Sequence, residues 1–396
     1  MDYHALHRTP FVFPNDAFPA WSIMIVLYPY ITGMVAGAFV VSTLYHVFGR
    51  KALEPVARLA VVTSLCFCLC ATLPLLLHLH QPFRALNVVA TPSPTSAMAG
   101  FGFIYSFYLL LLVVEVWLLF RPAIVARAAS VPGRAGKLYR ALALGVLEMT
   151  PGAAAVDRRL VGILSVIGIP AACILHGYVG FLFGAIKANP WWSTSLMPVI
   201  FLASAVASGI AVLILIYLFL CRRDGIAPDD ACMTSLSRML WGALLVATAL
   251  ESIDILHVAY EREEEWYLIR ELVGTKLRFS YLFLQVLLGS VLPLAMLPVP
   301  AFTRLGDAAF RHAGTGVAAV LVLVQVLAMR WNVVVGGQLF SKSFRGFVEY
   351  PVTVWGREGI VAALVVAVLP LVLLAGAMRL LPVWTPGEDG DAAGAH

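Results

Sequence analysis

One apolar segment of the chain carries ionisable side chains at regular intervals. The stretch ESIDILHVAYEREEEW, residues 251–266, places Glu251, Asp254, His257 and Glu261 three or four residues apart. At about 100° per residue, these four side chains fall within an arc of roughly 120° on one helix face. Histidine exchanges protons near neutral pH, and a carboxylate does so when loss of surrounding water favours its protonated form. This face therefore has the chemistry of a proton-exchange site.

Several other apolar segments end in polar side chains that could join the same site. The set is His78, His80, Arg84, His176, Tyr281, Arg330, Trp331, Asn332 and Gln338. An ionisable group costs about 2.5–3.5 kcal/mol at the centre of a bilayer on insertion scales, and its presence there indicates function. We predict one buried polar pocket, with His78, Asp254 and Glu251 as its proton-exchanging groups. Glu115 and Gln325 are the polar anchors expected in the opposite half, where they form a weaker candidate for a proton pathway.

The composition indicates an integral membrane protein. Of the 396 residues, 61% are hydrophobic and 12% are charged, which is about half the charged fraction of a soluble domain. A spanning helix needs roughly 20 apolar residues. Nine stretches qualify, at 21–47, 56–79, 98–120, 160–184, 195–221, 236–260, 277–300, 314–333 and 358–382. With no strand alternation, the fold class is an all-α polytopic membrane protein of about nine transmembrane helices.

The distribution of lysine and arginine predicts the orientation. The connection 121–159 carries seven of them and reads in part as a basic amphipathic helix, whereas the connections after the second and fourth stretches carry one each. Because cytoplasmic loops are enriched in positive residues, we expect a multi-pass protein of the inner (cytoplasmic) membrane with a periplasmic N-terminus and a cytoplasmic C-terminus. The net charge of +5 reflects these loops and does not indicate nucleic-acid binding.

Two of the stretches share a spacing that suggests an internal repeat. From Gly37 to Tyr45 is 8 residues and to Arg50 is 13, and the same intervals separate Gly209 from Tyr217 and Arg222. Shared small-residue packing explains this as well as duplication does. The predicted division is a periplasmic segment 1–20, a four-helix bundle 21–184, a second four-helix bundle 195–333, a periplasmic loop 334–357, an additional helix 358–382 and a disordered tail 383–396.

A quinone suits the predicted pocket. It is apolar, enters from lipid, and needs a hydrogen-bond donor at each oxygen and a group that exchanges protons.

The six cysteines lack the C-x-x-C and C-x-x-C-H spacings of iron–sulfur and c-type haem sites, so we predict no metal site. Two alternatives stay open: a membrane anchor that binds haem b through paired histidines, and a secondary transporter or proton-translocating subunit that uses Glu251 and Asp254.

Three segments resemble a known family. Residues 73–98, LPLLLHLHQPFRALNVVATPSPTSAM, resemble a segment of the NrfD/PsrC family, which comprises polysulfide-reductase-type membrane subunits. In that family the segment reads Asp-Leu-Gly-Arg-Pro-x-Arg and then Thr-Pro-Asn-x-Thr-Ser-Pro-Met. The segments IPAACILHGYVGFLFGAIKANPWW and MRWNVVVGGQLFSKS resemble its longer HybB/DsrP-type members. By position, the family's Asp is His78 here, its Gly-Arg is His80-Gln81, and Pro82 and Arg84 match.

The resemblance implies two four-helix bundles with extra helices in longer members, no haem or iron–sulfur cluster in this chain, and exchangeable menaquinone or ubiquinone near the outer face. It implies electron exchange with a ferredoxin-like iron–sulfur subunit and a catalytic or multihaem cytochrome subunit. The expected function is that of the quinol-binding subunit of a respiratory oxidoreductase complex. The change from Asp to His at position 78 alters the resting charge of the expected proton acceptor.

Overall fold

The chain folds into long helices that are apolar enough to cross a membrane. The computed structural model describes residues 19–93, 95–341, 344 and 346–384. Within those ranges, nine helices qualify as membrane spans. They are α1 (Ile23–His46), α2 (Lys51–His78), α3 (Ala97–Ser130), α4 (Pro151–Gly184), α5 (Met197–Asp224), α6 (Asp230–Glu261), α7 (Arg278–Phe302), α8 (Ala308–Leu339) and α9 (Ile360–Leu380). The prediction of an all-α polytopic membrane protein is confirmed. Apart from residues 19, 20, 383 and 384, the predicted N-terminal segment and tail lie outside the described residues.

Helices α3 and α4 are longer than their apolar parts. Each has 34 residues, about 51 Å at 1.5 Å per residue, against roughly 30 Å for the hydrocarbon core. The connection is therefore 131–150 and not 121–159, because hydropathy marks only the lipid-facing part of a helix. Arg121 Nη1 donates to Asp157 Oδ1 at 2.9 Å and joins the two extensions. The predicted amphipathic helix is present at Gly133–Leu142.

Helices α1 and α5 occupy the centre of the bundle. Helix α1 packs against α2, α4 and α5, and helix α5 packs against α4, α6 and α8. Helices α3 and α4 pair on one side of this centre, and α7 and α8 pair on the other. Helix α9 lies against α2. These contacts are those that two four-helix units would make, and the division into two bundles stays a prediction.

Three parts of the chain meet at one end of the bundle. The rings of Trp21, which precedes α1, and Trp192, in the connection 185–196, stack with centroids 5.2 Å apart. Asn189 Nδ2 in the same connection donates to the carbonyl oxygen of Gly337 in α8 at 2.7 Å. We call this the Trp192 end, and the opposite end, where α1 stops at His46, the His46 end.

Candidate functional site

A cavity of about 490 Å³ opens at the Trp192 end. Helices α5, α6, α7 and α8 and the connection 185–196 contribute its walls. Apolar side chains such as Ile200, Met329 and Val333 line one part of it. Its volume lies in the range of pockets that hold small molecules and cofactors. This is therefore the candidate site, and it lies at the end of the bundle where the sequence predicted a pocket.

The ionisable face of α6 lines this cavity. Glu251, Asp254, His257 and Glu261 all contribute to the wall, and Glu265 of the following helix continues their row. Glu251 and Asp254 are half-buried, and His257 and Glu261 are exposed. His257 Nε2 lies 3.4 Å from Glu261 Oε1. The row thus leads from inside the protein to its surface, and the face predicted from residue spacing is the one that the cavity uses.

Two glutamine side chains hold Glu251 in place. Gln285 Nε2 of α7 donates to Glu251 Oε2 at 2.8 Å. Gln325 Nε2 of α8 donates to Oε1 at 3.1 Å and to Oε2 at 3.2 Å. The sequence placed Gln325 in the opposite half, on a proton pathway with Glu115, and that placement is wrong. Gln325 faces α6 because α6 and α8 are neighbours, which periodicity alone does not reveal.

A second layer of hydrogen bonds supports Gln285. Asn332 Nδ2 donates to Gln285 Oε1 at 2.7 Å, and Ser280 Oγ donates to Asn332 Oδ1 at 2.6 Å. Helix α7 has π-helical winding over Arg278–Val291, so residues five apart lie one turn above another. This winding lets Ser280 and Gln285 contact the same asparagine. Asn332 was predicted to bind the ligand, and in the structure it orients a residue that lines the cavity.

The connection 185–196 closes the cavity on its polar side. Thr194 Oγ1 donates to Asp254 Oδ1 at 2.5 Å. Trp191 packs edge-on against Tyr281, with centroids 5.8 Å apart, and both rings line the cavity. Sequence reasoning identified Tyr281 and missed Thr194 and Trp191 as wall residues. The hydroxyl-rich run WWSTS directly before α5 was the available signal.

Arg330 and His176 lie behind the cavity wall and do not line it. The Arg330 side chain is fully buried, and its guanidinium lies 3.7 Å from the centroid of the Phe201 ring. Its Nη2 donates to Ser204 Oγ at 2.8 Å, to Phe201 O at 3.2 Å and to His176 Nε2 at 3.5 Å. Met329, its neighbour in the chain, does line the cavity. Both residues were predicted to bind the ligand, and both are separated from the cavity by residues of its wall.

His78, His80 and Arg84 do not line this cavity. His78 Nδ1 lies 3.3 Å from Glu358 Oε1 and 3.4 Å from Ser22 Oγ. His80 and Arg84 are exposed. The Leu73–His78 end of α2 packs against α1 and α9, so it is separated from α6. The single cluster expected from the sequence is thus divided, and a role of these three residues in quinone binding stays a prediction.

Trp331 and Gln338 fasten the end of α8 to its surroundings. Trp331 packs edge-on against Tyr350, with centroids 5.4 Å apart. Gln338 Oε1 accepts from the backbone N–H of Trp21 at 2.8 Å, and its Nε2 donates to Val334 O at 2.8 Å. A Cβ on Gly337 would collide with the Trp192 indole. Gly337 therefore makes room for Trp192, and a Cβ on its neighbour Gly336 would meet the side chain of Leu277.

The loop after α8 is held by a surface ion pair. Lys276 Nζ donates to Glu349 Oε1 at 2.9 Å, and this hydrogen bond holds the pKa of the exposed Glu349 carboxyl below its ordinary value. The contact joins the segment before α9 to the segment before α7. Such an exposed pair contributes little to stability.

Glu115 lies away from the cavity, between α3 and α4. Its Oε1 accepts from Ser165 Oγ at 2.6 Å, and the side chain is buried. Among the described histidines, His176 contacts Arg330, His257 contacts Glu261 and His312 contacts Asp230. None of these contacts joins two histidines across helices, so they lend no support to the haem alternative. The transporter alternative also gains no support, because the cavity lies at one end of the bundle.

The sequence model of the family described as "Polysulphide reductase, NrfD" matches residues 13–342 of this chain. The chain belongs to the NrfD family. The match extends through α8 and stops before α9, so the ninth helix lies outside the part that matches the family.

Curated relatives of this NrfD-family chain are membrane subunits of several reductases. The chain is 28% identical to the C subunit of the selenate reductase of Mesobacillus selenatarsenatis, covering 81% of this chain and 74% of that protein. It is 27% identical to a putative membrane subunit of the dimethyl sulfoxide reductase of Halobacterium salinarum, covering 72% and 63%. It is 21% identical to the integral membrane subunit of the Hdr-like menaquinol oxidoreductase of Archaeoglobus fulgidus, covering 82% and 72%.

Proposed function

We propose that this chain is the quinone-binding membrane subunit of an oxidoreductase complex, with the cavity at the Trp192 end as its quinone site. The observation that carries the proposal is the row of ionisable side chains on α6, from Glu251 to Glu261, which lines that cavity from its buried part to the surface. A quinone ring needs apolar contact and proton exchange in one place. The cavity offers both.

The residues present fit a quinone head group. Ile200, Met329 and Val333 supply apolar surface, and Trp191 and Tyr281 supply aromatic surface. The Thr194 hydroxyl donates its one proton to Asp254, and the hydroxyl of Tyr281, which also lines the cavity, is a hydrogen-bond donor for the ligand. When bound, the quinone supplies two-electron, two-proton redox chemistry that no side chain of this protein provides. Menaquinone and ubiquinone both satisfy this description.

The side chains of α6 would move the protons. Asp254 is the candidate proton acceptor because it lies at the cavity wall with one oxygen already oriented by Thr194. His257 follows it by three residues and pairs with Glu261 at the exposed end. Glu251, held by two glutamine amides, stays in place deeper in the wall. Protons would therefore pass between the quinone site and the Trp192 surface along one helix face.

The electrons of the quinone must be exchanged with a partner subunit that binds at the Trp192 end. We propose a ferredoxin-like iron–sulfur subunit on the Trp192 end, with a catalytic or multihaem cytochrome subunit beyond it. The names of the relatives support membership of a multi-subunit reductase. We also propose that the Trp192 end faces the periplasm and the His46 end faces the cytoplasm, since the arginine-rich Gly133–Leu142 helix lies in a connection at the His46 end.

Binding of a quinone analogue by the purified full chain tests the site. Titration with 2-heptyl-4-hydroxyquinoline N-oxide, followed by quenching of its fluorescence, should give saturable binding. Ile200→Trp fills the cavity and should weaken binding by about tenfold or more, or about 1.4 kcal/mol. The matched control is Val199→Trp, on the adjacent exposed position of α5, which should bind as the natural protein does. Equal affinities in both variants, or no saturable binding at all, would contradict the proposal.

Turnover of the assembled complex tests the proton acceptor. Asp254→Asn keeps the shape of the side chain and removes its ability to take a proton. Oxidation of decylubiquinol should then slow by about 100-fold, the usual contribution of a positioned acid or base. Glu148→Gln, an exposed carboxylate in the connection 131–150, is the control. Full activity of Asp254→Asn would assign proton exchange to another group.

A further inference from the structure

A second cavity, of about 440 Å³, lies at the His46 end between α1, α2, α3 and α4. The proposed quinone function does not involve it. Its lining combines charges of both signs, because Arg58 and Arg158 are positive and Glu54 and Asp157 are negative. His46 also contributes to the wall. The cavity therefore suits a ligand that carries a positive and a negative group close together.

Two of these side chains have buried polar atoms with no hydrogen-bond partner in the described part of the chain. They are Asp157, through Oδ2, and His46, through Nε2. Asp157 is 3% exposed, and its Oδ1 accepts from Arg121 Nη1 at 2.9 Å. Native proteins leave few buried polar atoms unpaired, and each one is costly. Asp157 thus offers one oxygen to a hydrogen-bond donor inside the cavity.

The cavity lies at the depth where the apolar part of each surrounding helix stops. The stretches predicted from hydropathy end at residues 47 and 120 and begin at residues 56 and 160. The lining residues fall within 45–46, 54–58, 118–122 and 154–162, so they flank all four boundaries. Phospholipid headgroups occupy this level of a bilayer, directly outside the hydrocarbon core. Leu118, Leu119 and Val161 add apolar surface to the wall, which suits a ligand attached to hydrocarbon.

We propose that this cavity binds the headgroup of a phosphatidylethanolamine molecule from the membrane leaflet at the His46 end. The phosphate would lie against Arg58 and Arg158, and the ammonium would donate to Asp157 Oδ2. Basic pockets between transmembrane helices bind lipid headgroups, and hydrogen bonds between charged groups are stronger than neutral ones. An anionic lipid would bring a second negative charge to the two carboxylates without a positive group to balance it.

The ammonium group makes the proposed site selective. Like the side chain of lysine, ethanolamine has three N–H donors. Phosphatidylcholine carries the same charges, but three methyl groups replace those hydrogens, so it cannot donate to Asp157. The loss of a hydrogen bond between charged groups should weaken binding by about tenfold or more.

Lipid titration of the purified full chain tests the site. The protein is delipidated in detergent, and native mass spectrometry gives the dissociation constant of the first lipid bound. Dioleoylphosphatidylethanolamine should bind about tenfold or more tightly than dioleoylphosphatidylcholine, which has the same acyl chains. Dioleoylphosphatidylglycerol should bind more weakly than phosphatidylethanolamine. O-Phosphoethanolamine, the same headgroup without acyl chains, should not displace the lipid at equal concentration.

Two variants locate the binding site in this cavity. Asp157→Asn removes the negative charge and should make the two zwitterionic lipids bind with equal affinity. Arg158→Gln, at an exposed position of the wall, should weaken both by about fivefold and keep the preference for phosphatidylethanolamine. The matched control is Arg159→Gln, whose position is exposed, adjacent and outside the lining. Arg158→Gln keeps the test decisive if Asp157→Asn does not fold.

Four results would overturn the proposal. Equal affinity of the natural chain for phosphatidylethanolamine and phosphatidylcholine would remove the ammonium contact. Tighter binding of phosphatidylglycerol would assign the cavity to an anionic lipid, and displacement by O-phosphoethanolamine would assign it to a soluble ligand. Equal binding by Arg158→Gln and Arg159→Gln would place the lipid elsewhere on the protein.

Discussion

Gly37 of α1 and Gly209 of α5 meet backbone to backbone at the centre of the bundle. A Cβ atom on Gly37 would lie 2.7 Å from Cα of Gly209 and 2.6 Å from the carbonyl oxygen of Ala205. These glycines are equivalent positions in the repeat inferred from spacing. Contact between equivalent residues is what a repeat about an axis between α1 and α5 requires. Close packing of two small-residue patches brings glycines together in the same way, so the repeat stays a prediction.

Gly37→Ala should destabilise the protein, because the new methyl group meets backbone atoms that cannot rotate away. Overpacking of this kind costs about 1–3 kcal/mol, so the melting temperature in detergent should fall. Gly242→Ala on α6 is the control, since its Cβ would meet nothing within 4 Å. A melting temperature of Gly37→Ala that equals that of the control would mean that α1 and α5 separate at little cost.

Much of the fold follows from length and hydropathy. The nine spans were predictable because a bilayer demands roughly 20 apolar residues from each helix. The row from Glu251 to Glu261 was predictable because helix geometry alone decides which residues share a face. Those two arguments use only residues that are close in sequence. They succeeded for that reason.

Which helices are neighbours could not be predicted from one sequence. His78 was expected beside Asp254 and instead contacts Glu358, directly before α9. Gln325 was expected in the other half and instead holds Glu251. Both residues lie on apolar helices, where small differences in packing select the partner. The π-helical winding of α7 likewise gives no periodic signal in its sequence.

Arg330→Lys should lower the melting temperature of the full chain. A lysine keeps the charge, but it cannot both lie flat over the Phe201 ring and donate to Ser204 and Phe201 O. Loss of hydrogen bonds made by a charged group costs about 1.5–3 kcal/mol each. The control is Arg159→Lys on an exposed position of α4. If the melting temperature of Arg330→Lys equals that of the control, the buried contacts of the guanidinium contribute little to stability.

Gln338→Leu separates two roles for the polar end of α8. The resemblance to quinone-binding subunits makes Gln338 a ligand contact, whereas in the structure its amide joins Trp21 to Val334. We therefore expect the melting temperature to fall, because loss of these hydrogen bonds costs about 1–3 kcal/mol of stability. Affinity for 2-heptyl-4-hydroxyquinoline N-oxide should stay unchanged.

Gln81→Leu, at an exposed position before Pro82, is the control for Gln338→Leu and should change neither property. The opposite pattern, with weakened binding of the analogue at an unaltered melting temperature, would place Gln338 at the quinone. In that case the cavity on α6 would have to extend across the end of α8 to reach Trp21. The pair of measurements thus decides whether the end of α8 fastens the fold or contacts the ligand.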